Sequence, residues 1–109
     1  MKPKKISTHV IPVSNPARAF RFFHEVFDVP AFEETNTNKY LVLEQERLAF
    51  ITGEPTELEL TVKDHFETVQ NHLASYYVTI LSIEEARLKK MIVTIEDFEK
   101  NKIRIICNK

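Results

Sequence analysis

One unit occurs twice in this chain, and the repeat narrows the folds open to it. Residues 8–27, THVIPVSNPARAFRFFHEVF, read as a short strand that runs straight into a helix. His9, Ile11 and Val13 alternate with Thr8, Val10 and Pro12, the two-residue period of a strand. Asn15 stands at the N-cap position, and Pro16 follows at the first helical position, where a missing N–H costs nothing. Phe20, Phe23 and Phe27 then recur at i, i+3 and i+7, which stacks three rings on one helical face. Residues 57–73, ELELTVKDHFETVQNHL, repeat the plan. Leu58, Leu60 and Val62 alternate, Asp64 and Glu67 form a D-x-x-E capping box, and Phe66, Val69 and Leu73 make the stripe. The two caps, Asn15 and Asp64, lie 49 residues apart (64 − 15), close to half of the 109 residues.

Strand-like segments follow each copy. After the first helix, Asp28-Val29-Pro30 breaks the pattern, residues 31–34 read as a short edge strand, and residues 35–38 (TNTN) as a turn. Residues 39–44 (KYLVLE) and 47–52 (RLAFIT) read as strands joined by a tight polar turn at Gln45-Glu46. The second helix is predicted to run to about Ser75. Residues 77–81, 91–95 and 102–107 read as strands, residues 83–88 as a turn or a single helical turn, and residues 96–101 as a polar loop. Both halves therefore read β-α-β-β-β. The expected fold class is α+β: one domain over residues 1–109, built of tandem modules over about 6–52 and 57–107, with a linker near Gly53. Gly53 is the only glycine, which excludes glycine-rich phosphate loops and dinucleotide fingerprints.

The remaining composition removes further classes. Fifteen Lys and Arg oppose sixteen Asp and Glu for a net charge of −1, and they are scattered, so no basic footprint for nucleic acid exists. Lys2, Lys4 and Lys5 read as a frayed, solvated end. No apolar run approaches the roughly 20 residues that span a bilayer, and no signal-peptide core opens the sequence. The expectation is a cytoplasmic protein with no nucleic-acid or membrane partner. The single cysteine, Cys107, excludes an intramolecular disulfide and reads as a small buried hydrophobe beside Ile103 and Ile105. Ser7, Ser14, Ser75 and Ser82 lack nucleophile contexts, and the pairs Glu33-Glu34 and Glu84-Glu85 read as solvated charges.

Three segments carry a family resemblance. Residues 13–27, V-S-N-P-A-R-A-F-R-F-F-H-E-V-F, resemble the opening of a vicinal oxygen chelate module, with Phe22-Phe23 where that superfamily has Phe-Tyr. T-V-K-D at 61–64 resembles the opening of its second module, and D-F-E-K-N-K-I-R-I-I at 97–106 its D-P-D-G-N-x-I-E-L ending. The superfamily comprises glyoxalases, bleomycin-resistance proteins and dioxygenases. The resemblance implies that each module curls four strands around a cleft with its helix outside, and that two modules form a cup of curved mixed sheet. It also implies a homodimer. In the enzymes a divalent metal sits in the cup, held by a His or Gln on the first strand and a Glu on the last strand of each module.

Carried over residue by residue, those four positions fall on Thr8, Ala49, Glu57 and Arg104, of which only Glu57 is a plausible ligand. A guanidinium is permanently charged and cannot coordinate a cation. Glu57 and Glu59 point the same way along their strand, so Arg104 is expected either to pair with one of them or to snorkel to water. His9 is expected on the helix-facing side with Ile11 and Val13, away from the cup. His24, His65 and His72 show no H-x-x-x-H or H-E-x-x-H spacing and read as surface histidines. The expectation is no metal, no cofactor and no assigned catalytic residue, with Thr8, Arg47, Glu57, Glu59 and Arg104 as the cup-facing ligand-binding candidates. Three functions stay open. One is a non-catalytic protein that binds a small organic molecule, as bleomycin-resistance proteins do. The second is an interaction or regulatory module with a filled cup. The third is a metal-dependent lyase, isomerase or dioxygenase with displaced ligands.

Overall fold

The computed structural model describes residues 1–33 and 39–109. The predicted TNTN turn, and Glu34 at the end of the predicted edge strand, lie outside the described residues. The elements are β1 (Pro3–Ile6), β2 (Val10–Val13), α1 (Pro16–Glu25), β3 (Ala31–Glu33), β4 (Lys39–Leu43), β5 (Glu46–Arg47) and β6 (Ala49–Thr52), followed by β7 (Glu57–His65), α2 (Phe66–Ser75), β8 (Thr79–Ala86), β9 (Lys90–Glu96) and β10 (Lys102–Asn108). The fold is α+β. No helix among the described residues is long and apolar enough to cross a membrane.

The repeat is visible in the strand pairing. In the first half β2 runs parallel to β6, and in the second β7 runs parallel to β10. The second half forms a five-stranded mixed sheet in the order β1-β7-β10-β9-β8. Its buried face carries Leu58, Leu60 and Val62 from β7, Val93 and Ile95 from β9, and Ile103, Ile105 and Cys107 from β10. Val69 and Leu73 of α2 cover that face. In the first half α1 packs on β4 and β6, and Leu41 and Leu43 are buried together with Ile11 and Val13 of β2. Alternation on each strand thus leaves one helix-covered face and one open face per half.

The start of α1 follows the sequence. Asn15 is extended, its side chain accepts from the Arg18 N–H at 3.1 Å, and Pro16 occupies the first turn. The buried stripe is Ala19, Phe22, Phe23, Val26 and Phe27, an i, i+3, i+4, i+7, i+8 pattern. Phe20 sits at the edge of this stripe, half-buried, so the predicted Phe20-Phe23-Phe27 register is off by part of a turn. Phe23 lies against the rings of Phe22, Phe27 and Phe50, with centroids 5.5–5.8 Å away.

Several expectations are corrected. Asp64 does not cap α2: β7 continues to His65 because β10 pairs beside it as far as Asn108, and no side chain caps the helix. Lys2, Lys4 and Lys5 do not mark a frayed end. Pro3–Ile6 add as an antiparallel edge strand to β7, with Ile6 buried and the lysines outward. The predicted strand over 47–52 is two strands, because Arg47 pairs with Val42 of β4 while Ala49 pairs with Val10 of β2. Its turn lies at Glu44 and Gln45, both with positive φ. The predicted turn over 83–88 is mostly strand, since β8 runs on to Ala86 through an irregularity after Ile80. His72 is no surface histidine: it is half-buried, and its Nε2 meets the Val26 carbonyl oxygen at 2.6 Å, tying α2 to the end of α1.

The polar loop over 96–101 is a buried latch between the halves. Asn101 is fully buried, donates to the Pro12 carbonyl at 2.9 Å, and accepts from the Thr56 N–H at 2.8 Å. One Asp97 oxygen accepts from the N–H groups of Glu99 and Asn101, each at 2.8 Å. The Glu99 side chain, 2% exposed, accepts from the Ser14 N–H and hydroxyl at 2.7 Å and from the Arg18 guanidinium at 2.9 Å. Burial pushes the Asp97 carboxyl above its ordinary range, against the hydrogen bonds from Asn101 and Glu99. Burial would also raise Glu99, but the donors from Ser14 and Arg18 outweigh it and hold its carboxyl below the ordinary range.

Candidate functional site

The open face of the second half holds three of the five sequence candidates. In the parallel β7–β10 register Glu57 lies opposite Lys102, and Glu59 opposite Arg104. Arg104 continues across β9 to Thr94 and then to Ser82 of β8. The next row on the same face is Thr61, Ile106, Ile92 and Glu84. The sheet thus presents one central guanidinium flanked by a carboxylate and two hydroxyls, bordered by isoleucines.

The Arg104 guanidinium lies 3.6 Å from the Glu59 carboxylate, with the side chains 35% and 46% exposed. That is an ion pair with Glu59, one of the two expected partners, but it is longer than the roughly 2.8 Å of a charge-assisted hydrogen bond. A pair this open contributes at most about 1 kcal/mol. Ser7 fixes the backbone beside it: its N–H donates to the Glu59 carbonyl at 2.9 Å, and its hydroxyl accepts from the Glu59 N–H at 2.8 Å. A hollow of about 380 Å³ opens over Ser7, Glu57, Glu59 and Arg104. A second of about 330 Å³ shares Ser7 and Glu59 and is lined further by Glu44, Thr61 and Ile106. Sequence reasoning missed Ser7, Thr94 and Ile106. The alternation that selected Glu57 and Glu59 selects Thr61 and Ile106 as well.

Thr8 and Arg47 line neither hollow. The Thr8 hydroxyl bonds locally with the N–H and carbonyl of Val10, 3.2 and 3.3 Å away. Arg47 lies over the Tyr40 ring at 3.7 Å in the first half. Apart from that guanidinium, the open side of the two small sheets there is largely apolar: Val10 opposite Ala49 and Pro12 opposite Ile51 in one, and Phe32 stacked on Tyr40 at 5.9 Å in the other. Val10, Ile51 and Phe32 are each about half-exposed, between 47% and 49%. Val10–Ala49 and Glu59–Arg104 occupy matching places in the two halves, so the repeat relates an apolar wall to a charged one.

Of the four positions that the resemblance points to, only Glu57 carries a side chain of metal-ligating type. Ala49 has no ligating atom, Arg104 is a cation, and the Thr8 hydroxyl is engaged with its own backbone. His9 meets the Leu43 carbonyl through Nε2 at 2.8 Å and the Glu46 carboxylate through Nδ1 at 2.7 Å, so both ring nitrogens face acceptors. Among the described residues no three His, Cys, Asp or Glu side chains converge as a metal requires. Burial, with Asp64 nearby, raises the pKa of the Cys107 thiol, so a thiolate nucleophile is disfavoured.

No protein-family model matches the sequence, and no curated protein does. Solved structures do match. A virulence protein from Salmonella typhimurium superposes with a TM-score of 0.71 at 19% identity, covering 92% of this chain and 93% of that one. The fosfomycin resistance protein FosX from Mesorhizobium loti gives 0.67 at 12% identity, over 92% and 88% of the chains. Lactoylglutathione lyase from Agrobacterium tumefaciens gives 0.71 at 9% identity, over 90% and 89%.

Proposed function

We propose that this chain, which has the vicinal oxygen chelate fold, is a non-catalytic protein that holds a small organic molecule on its open sheet face without a metal ion. The observation that carries the reading is Arg104: a guanidinium, loosely held by Glu59, at the position where the family resemblance implies an acidic ligand. A cation there repels a metal and attracts a ligand's anionic or hydrogen-bond-accepting group. The hollows of about 380 and 330 Å³ fit small-molecule sites, which start at roughly 300 Å³. That volume weighs against an interaction module with a filled cup. The donor set weighs against a metal-dependent lyase, isomerase or dioxygenase.

We further propose a homodimer as the working form. Monomeric proteins rarely leave a sheet face as apolar as Val10, Phe32 and Ile51 uncovered. A second copy that set its charged wall against this apolar one would close a cup with one face of each kind, and the site would then be incomplete in a single chain.

A thermal-shift screen against metals and small organic molecules tests the reading. A true ligand at a hundred times its Kd is expected to add about 2.7 kcal/mol of stability. Arg104→Ala is expected to abolish that gain while costing the free protein no more than about 1 kcal/mol in urea unfolding. Elemental analysis that found stoichiometric zinc, nickel, manganese or iron in purified protein would sink the metal-free reading.

A further inference from the structure

A second concavity lies on the opposite, helix-bearing side, where the two halves meet. It is a groove of about 550 Å³ between α1, the end of α2 and the β9–β10 turn. Its apolar walls are Phe22, Phe98 and Tyr76, and its charged rim is Arg18, Arg21 and Glu25. Phe98 is 50% exposed and sits edge-on against Phe22, with centroids 5.1 Å apart. Its exposure is not slack, because the turn that carries it is fixed by the buried bonds of Asp97 and Asn101.

The two guanidiniums are held differently. Arg18 places Nε and one terminal nitrogen on the Glu99 carboxylate, each at 2.9 Å, which fixes its plane at the groove. That terminal nitrogen also reaches the Ser14 hydroxyl oxygen at 3.4 Å, and the two N–H donors of the other terminal nitrogen lie beyond these contacts. Arg21, one turn along the helix, makes a loose 3.7 Å contact with Glu25 and is mostly exposed. The Glu99 charge is buried behind the wall, so the groove itself faces two cations and one carboxylate. An aromatic floor beside a forked cationic rim suits a planar ring that carries an anionic head. The volume falls within the roughly 300–1,000 Å³ of small-molecule sites.

We propose that this groove is a ligand site for a small aromatic carboxylate, with the carboxylate on Arg18 and Arg21 and the ring between Phe98 and Tyr76. The site is separate from the open sheet face and does not depend on the reading given for that face.

Isothermal titration with naphthalene-2-carboxylate tests it, with naphthalene-2-methanol as the uncharged analogue. The expected result is saturable binding of one molecule per chain. Arg21→Ala and Phe98→Ala are each expected to weaken it at least tenfold, and so is loss of the charge in the analogue. Arg104→Ala, on the other face, is expected to leave it unchanged. Both test positions are exposed, and a thermal melt of each variant checks that it folds. Chemical-shift changes in the labelled full chain should centre on Phe98 and Tyr76. Three results would overturn the proposal: no saturable binding, equal affinity for the alcohol, or binding that Arg104→Ala removes and Phe98→Ala spares.

Discussion

Replacing Glu99 with alanine is expected to cost about 1–3 kcal/mol, the range for leaving a donor without its buried charged acceptor, since the surviving Arg18 is half-exposed. The change removes the acceptor for the Ser14 N–H and hydroxyl and for two nitrogens of Arg18. Arg18 can turn to water, but the Ser14 N–H loses the carboxylate that accepts it. Because a domain is stable by only about 5–15 kcal/mol, a loss of this size takes a large share of it. Urea unfolding at neutral pH measures the effect, and a change under 1 kcal/mol would mean that the latch is incidental to the fold.

The same carboxylate sets a pH signature. Its folded pKa lies below the ordinary value, so its contribution is full above about pH 4.3 and is lost as pH falls through the folded pKa. Asp97 has the opposite sign: its folded pKa is raised, so its contribution is full below about pH 3.9 and is lost as pH rises through the folded value. The two partly cancel in the natural protein. Glu99→Gln removes one of them, so the stability gap between natural protein and variant should narrow below about pH 4. A gap that stays constant from neutral pH into acid would contradict the assignment.

Phe23→Ala is expected to destabilise by about 3–5 kcal/mol, through lost burial and the cavity left behind. Phe23 is fully buried and joins α1 to Phe50 of β6 as well as to Phe22 and Phe27. Phe20→Ala, three residues earlier on a half-buried position, is expected to cost only about 1 kcal/mol. Denaturant midpoints with unchanged slopes would separate the two. Equal losses would mean that the stripe inferred from the sequence, and not the one seen in the fold, carries the core.

That contrast shows how far the sequence can be read. The internal repeat, the cap at Asn15 and the alternation along β7 and β10 are local signals, and they led to the fold class and to Arg104 beside Glu59. The latch was illegible because Asp97, Glu99 and Asn101 have the composition of a solvated loop. Their burial depends on partners more than 80 residues away, at Ser14 and Pro12. Strand β1 escaped for the same reason, since its lysines point outward and only pairing with β7 makes it a strand. Thr8 and Arg47 were grouped with Arg104 on an assumed shared cup. In one chain the two open faces carry separate sets of side chains.

The order of strands in the larger sheet bears on how the protein is made. β10 is the last of the five strands in sequence, yet it lies in the middle of that sheet, between β7 and β9. Until Ile103 and Ile105 emerge, Leu58 and Leu60 of the nascent chain lack their parallel neighbour. The second half therefore cannot complete its fold until β10 has emerged, and until then it holds an unfilled gap that chaperones can cover. The pairing of β2 with β6 needs no later residue, but the latch that joins Pro12 and Ser14 to Asn101 and Glu99 also waits for this last stretch.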